Sequence, residues 1–196
     1  MADAIHTATR IAAGDDKTNY DNIAITLHWL TALLVIVQFA LAETWDWFGR
    51  DTRETMQDLH TSLGVLLTAV VLTRVVWRLI PGHQRPTIVS GWVEIASKSV
   101  HYLLYALLIA QALLGFTVGW SAGHPIHVFG LPIPDPIGTL AKPLRHEIRD
   151  IHSKVGWAII IVAFGHALAA LYHHYVVKDR VLGRMLPFAR KSEARF

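Results

Sequence analysis

Four stretches of the chain stay apolar long enough to cross a bilayer, and the polar residues collect between them. They run from about Ile23 to Ala42, His60 to Ile80, Val100 to Trp120 and His152 to Val176, each matching the roughly 20 residues with which a helix covers a hydrocarbon core of roughly 30 Å. None alternates polar and apolar positions as barrel strands do, and helices are the other structure that satisfies every backbone hydrogen bond in lipid. The pattern predicts an all-α fold, an integral membrane four-helix bundle.

The connections fit this reading. The first, residues 43–59, carries Trp45, Trp47 and Phe48, aromatic side chains suited to a membrane interface. Pro81, Gly82 and Pro86 stop the second span, and Trp92 to Ser99 reads as a short interfacial helix before the third. The longest connection, Ser121 to Ile151, holds Pro125, Pro132, Pro134, Pro136 and Pro143, too many for one helix, and is expected to cap its end of the bundle. The chain thus divides into an N-terminal extension (1–22), the bundle (23–187) and a basic tail (188–196), with no evident internal repeat.

Composition sharpens the picture. With 53% hydrophobic and 17% charged residues the sequence lies outside the usual soluble range. The polar first 22 residues lack the short apolar core of a removable signal peptide, so the first span is expected to direct its own insertion. Twelve Lys and Arg fall on the side of the termini and six on the other, Arg50, Arg53, Lys142, Arg145, Arg149 and Lys154. Both termini are therefore expected in the cytoplasm. The net charge of +3 follows from this topology and from anionic lipid rather than from nucleic-acid binding. The absence of cysteine excludes disulfides, thiolate-bound clusters and covalently attached haem.

Twelve histidines are many, and four stand out by where they fall in the apolar spans, where ionisable residues usually face the bundle interior. His28 sits one to two turns inside the first span. His60 opens the second and His152 the fourth, both at the opposite end. His166 follows His152 by fourteen residues, about 21 Å along a helix and on nearly the same face. Matching by depth pairs His60 with His152 and His28 with His166, and two ligands at each of two levels fit two haems b. Gly64 and Gly156, each one turn past a histidine, are expected to admit a flat macrocycle. A hydrogen-bonded interhelical contact would account for any one histidine alone. Transport of a bare metal is the competing use, yet the spans hold essentially no carboxylate to share the ligation.

Other residues admit two readings. Arg74 and Arg78 suit either haem propionates or lipid headgroups, and His101 suits either a propionate or quinone contact or an interfacial position. Lys142, Arg145, Arg149 and Lys154 surround His152 in sequence and could steer an anion toward it, or could pair with Asp135, Glu147 and Asp150.

These residues resemble the bacterial cytochrome b561 family, within it the short dihaem form that includes superoxide oxidases. The likeness runs from Ile25 to Pro187. It rests on Ile-Thr-Leu-His28-Trp29, His60-x3-Gly64 with Arg74 and Arg78, His101-x3-Tyr105 and Phe129-Gly130-Leu131. It rests further on His152 with His166 fourteen residues later, and on His173-His174-Tyr175 through Lys178-Asp179 to Arg184-Met185-Leu186-Pro187. The resemblance implies two haems b on His28, His60, His152 and His166, in a bacterial inner-membrane protein passing electrons from a periplasmic donor to membrane quinone. It suggests superoxide:ubiquinone oxidoreduction, with His173 at the quinone. The alternative is a cytochrome anchor and electron conduit for a periplasmic dehydrogenase or hydrogenase. The N-terminal extension, Asp46 to Asp58 and Ile133 to Arg149 depart from the family pattern.

Overall fold

A computed structural model describes residues 21–81, 90–179 and 182–185. The expectations for the N-terminal extension, Gly82, Pro86 and the basic tail lie outside these residues. Four helices carry the fold: α1 (Asn22–Thr44), α2 (Arg50–Leu79), α3 (Trp92–Trp120) and α4 (Lys142–Tyr172). All four are long and apolar enough to cross a membrane.

Three helices start eight to ten residues before the apolar runs that announced them. Hydropathy marks the stretch that lipid solvates, whereas a helix continues until a breaker or an uncompensated end stops it. Nothing in Arg50 to Leu59 breaks a helix, so α2 extends to 30 residues, about 45 Å at the helical rise. The expected seventeen-residue loop shrinks to a single 3-10 turn, Trp45–Trp47. The separate interfacial helix expected over Trp92 to Ser99 is likewise the first part of α3. Pro143 stands in the first turn of α4, where its missing N–H costs nothing.

Backbone packing is closest within the hairpins α1–α2 and α3–α4, with α2 against α3 next. The centre is small, made of Ile25, Leu34, Val70, Val71 and Ile159. Large apolar side chains point outward instead, with Ile36 62% and Ile161 65% exposed, as expected where the solvent is hydrocarbon. Hydroxyls inside the helices bond back to their own backbone, Thr31 to Leu27 O at 2.6 Å and Thr68 to Gly64 O at 2.8 Å, which leaves neither hydroxyl donor unpaired within the span.

A short antiparallel hairpin, β1 (Ile126–Val128) and β2 (Leu131–Ile133), interrupts the long connection. Its two-residue turn, Phe129 (φ 48°) and Gly130 (φ 83°), has the positive φ pair that suits right-twisted strands, and glycine takes the second of these without strain. The Phe129 N–H donates to the Ser62 hydroxyl at 2.9 Å. The hairpin is therefore docked on α2 two residues past His60, at what is called here the hairpin end. At the terminal end, α4 runs into a π-helical turn, His173–Val177, closed by Lys178 in the left-handed conformation. A 3-10 turn, Gly183–Met185, lies against α1, where Trp29 Nε1 donates to the Met185 carbonyl at 2.7 Å.

Candidate cofactor site between the two helical hairpins

The histidines of the spans meet in two facing pairs. His60 on α2 and His152 on α4 have ring centroids 6.3 Å apart, and His28 on α1 and His166 on α4 have centroids 6.4 Å apart. Two imidazoles on opposite sides of one metal, each at a metal–nitrogen distance of roughly 2 Å, have ring centres about 6 Å apart. Both pairs match that spacing. His101, whose centroid lies 5.1 Å from that of His166, is too close to share a metal across from it and stands beside it.

Each pair is embedded differently. At the hairpin-end level, His60 Nδ1 donates to the Gln38 backbone carbonyl at 3.2 Å, and Gln38 Nε2 donates in return to the His60 carbonyl at 2.9 Å. The carbonyl fixes the His60 tautomer with its proton on Nδ1, leaving the Nε2 lone pair for a ligand. The Gln111 amide donates to His152 Nε2 at 3.2 Å, while His152 Nδ1 is buried without a hydrogen-bond partner among the described residues. Trp45 closes over His60 edge-on, centroids 5.4 Å apart. At the terminal-end level, Arg74 Nη2 lies 2.9 Å from His28 Nδ1, and the guanidinium also stacks over Tyr105 at 5.5 Å. His101 Nδ1 donates to the Ser97 carbonyl at 2.6 Å.

These residues fit a haem better than a bare ion. Among the described residues no three ligating side chains converge on one point, whereas structural and catalytic zinc take three or four protein ligands. Two facing imidazoles suit an iron that brings its four equatorial ligands with it. The donors are neutral, and one buried imidazole nitrogen lacks a partner.

The glycines expected to wall the site have another neighbour. A Cβ on Gly64 would stand 2.9 Å from Gln38 Nε2, and one on Gly156 would stand 3.3 Å from Gln111 Nε2. Both glycines admit a glutamine amide from within their own hairpin. It is Gly115 that backs an imidazole, since a Cβ there would lie 3.3 Å from His152 Cε1.

Gln38 and Gln111 were missed by sequence reasoning, and their equivalence reveals a repeat that it also missed. His28-x9-Gln38 on α1 matches His101-x9-Gln111 on α3, and His60-x3-Gly64-x9-Arg74 on α2 matches His152-x3-Gly156-x9-His166 on α4. The same amide-to-glycine contact occurs in each hairpin. Side chains of unlike size and function conceal the repeat in a letter-by-letter reading. At the level of Gln38 and Gln111 the halves agree; at the other level Arg74 occupies the position that His166 holds in the second half.

The remaining candidates sit at the two ends. Arg78, one turn beyond Arg74, is exposed at the terminal end. His173 Nδ1 bonds the Asp179 carboxylate at 2.5 Å. Lys142, Arg145 and Arg149 lead to His152 at helical spacing along one stripe of α4, and Lys154 falls off that stripe. Among the described residues none of these four makes an ion pair, and Asp135 instead accepts the N–H groups of Ile137 and Gly138.

The family model for prokaryotic cytochrome b561 matches residues 19–188. Cytochrome b561 homolog 2 of Escherichia coli K12 is 31% identical over 178 residues, covering 85% of this chain and 90% of that protein. The probable superoxide oxidase CybB of Yersinia pestis is 30% identical over 178 residues, covering 87% and 97%. Cytochrome b562 of Cereibacter sphaeroides is 28% identical over 176 residues, covering 87% and 96%. The chain, four membrane-crossing helices around facing histidines, belongs to the prokaryotic cytochrome b561 family and is a bacterial membrane cytochrome b that binds haem b and transfers electrons.

Proposed function

We propose that the protein carries electrons from superoxide, at the hairpin end, to ubiquinone at the terminal end, through two haems b. One is held by His60 and His152, the other by His28 and His166. Held between two imidazoles, a haem b would supply one-electron transfer rather than oxygen binding. The observation that carries the reading is the recurrence of one ring spacing at two levels. The relative named as a probable superoxide oxidase supports the choice of donor.

The chain's own residues serve the two ends. The excess of Lys and Arg on the terminal side supports a cytoplasmic terminal end and a periplasmic hairpin end in the inner membrane. Arg145 and Arg149, unpaired among the described residues and in line with His152, raise the local concentration of an anion. At the other end Asp179 orients the His173 ring, so that His173 can pass a proton to a quinone oxygen while its partner holds the ring. Arg74, Arg78 and His101 line the terminal-end level, where propionates would find cationic partners.

The test is a reduced-minus-oxidised spectrum with haem-to-protein stoichiometry, followed by superoxide-driven ubiquinone reduction in proteoliposomes. Two haems per chain and quinol formation that stops on adding superoxide dismutase are expected. One haem per chain would remove the two-level reading, and two haems without superoxide-driven turnover would leave a cytochrome with another donor.

A further inference from the structure

We propose that the terminal-end level offers two symmetry-related positions for one haem, and that Arg74 confines the haem to one of them, leaving His101 as the latent axial ligand of the other. This rests on the two-haem reading above. α1 and α3 run from the terminal end to the hairpin end, and α2 and α4 run back. The operation that carries one hairpin onto the other is therefore a rotation about the membrane normal, which exchanges α1 with α3 and α2 with α4.

The contacts obey this exchange at both levels. Gln38 lies against Gly64 and Gln111 against Gly156. Arg74 Nη2 lies 2.9 Å from His28 Nδ1 within the first hairpin, and His166 stands in the same relation to His101 within the second, ring centroids 5.1 Å apart. The pair His60 and His152 is carried onto itself, so the hairpin end has a single position, astride the axis. The pair His28 and His166 is not: it is carried onto His101 and Arg74. The terminal end therefore has two positions, one between α1 and α4 and one between α3 and α2. Arg74 already spans the second, since its guanidinium stacks at 5.5 Å over Tyr105, one turn past His101 on α3.

Three of the four side chains in this ring are imidazoles, and the fourth decides which position binds iron. His101 Nδ1 donates to the Ser97 carbonyl at 2.6 Å, which leaves the Nε2 lone pair for a metal. A guanidinium has five donors, no acceptor lone pair and a permanent charge, so it cannot serve as an axial ligand. The two positions abut, because His101 and His166 belong to different positions yet have rings 5.1 Å apart, and one macrocycle fills the level. Arg74 is thus a specificity-determining residue, which makes His28 and His166 the ligands and leaves His101 beside them.

The experiment moves the imidazole from α4 to α2 and reads haem per chain and the reduced-minus-oxidised spectrum of the purified full-length protein. His166→Arg should lose the terminal-end component and keep the hairpin-end one, which also reports an intact fold. Adding Arg74→His should restore two haems per chain, with the cation now on α4. The restored component should vanish with His101→Ala and survive His28→Ala, the reverse of the wild type. His28→Ala combined with Arg74→His is a second route that places no arginine on α4, and its terminal-end component should again require His101. The proposal is overturned if neither combination regains the component lost in His166→Arg or His28→Ala alone, or if the regained component survives His101→Ala. A wild-type chain with one haem, or a His166→Arg chain that keeps two, contradicts the two-haem reading instead.

Discussion

Replacing Ser62 by Ala should loosen the hairpin that covers the His60 level without disturbing the helices. Ser62 is 4% exposed. Its hydroxyl accepts the Phe129 N–H at 2.9 Å while donating to the Asp58 carbonyl at 2.9 Å. Alanine removes the acceptor, and leaving a buried donor unpaired costs about 1–3 kcal/mol. The hairpin lies at the end of the bundle, where water can partly replace the lost partner, so the lower part of that range applies. At 1.4 kcal/mol per tenfold, about 1 to 1.4 kcal/mol raises the open fraction roughly fivefold to tenfold. Hydrogen exchange of residues 128–131 in nanodiscs reads this directly, because exchange tracks the population of the open form. Thr61→Ala, which removes only a bond to the Gln57 carbonyl within α2, is the control. Unchanged exchange at Phe129 in Ser62→Ala would refute the docking argument, as would faster exchange spread along the whole of α2.

Loss of His60 or His152 should perturb one haem spectral component and loss of His28 or His166 the other; shared effects between His60 and His166 would break the pairing. Neutralising Arg145 and Arg149 together should slow haem reduction by superoxide several-fold at low salt and flatten its dependence on ionic strength, as stopped-flow measurement across a salt series would show. His173→Ala should slow quinone reduction at least tenfold with both haems bound, and Asp179→Asn, which keeps a neutral hydrogen bond, should slow it less. Equal turnover in wild type and His173→Ala would take that residue out of the quinone site.

Much of the fold was legible because hydropathy reports the solvent that each segment meets. Four apolar runs became four helices, and helix direction with rise per residue brought His60 to His152 and His28 to His166. Helix starts were not legible from the same signal, since Arg50 to Leu59 and Lys142 to Ile151 are helical without being lipophilic. The approach of Gln38 to Gly64 and of Gln111 to Gly156 was not legible, because a glycine announces a close approach without naming the approaching group. Gln38 and Gln111 escaped notice for a related reason: a lone amide in an apolar run is ordinary, and only its repeated distance from a histidine marks it. The Phe129-Gly130 turn carried a β-hairpin signal in its sequence, which five prolines nearby obscured.

The placement of the histidines ties cofactor binding to the cohesion of the bundle. Within each hairpin the helices pack closely along their backbones, and a bond such as that between Gln38 and the His60 carbonyl adds to the packing. Both histidine pairs, by contrast, span the two hairpins, joining α1 or α2 to α4, and beside them Phe39 meets Trp157 across the same seam at 4.8 Å. Lipid is as apolar as the leucines it touches, so no hydrophobic force holds one hairpin to the other. What holds them must be specific contact. A haem gripped from both sides would supply such contact at each of the two depths proposed, and its affinity for the assembled state would add to stability by linkage. On the proposed two-haem reading, the histidines that would hold the haems also act as rivets between two helical hairpins that lipid alone would not hold together.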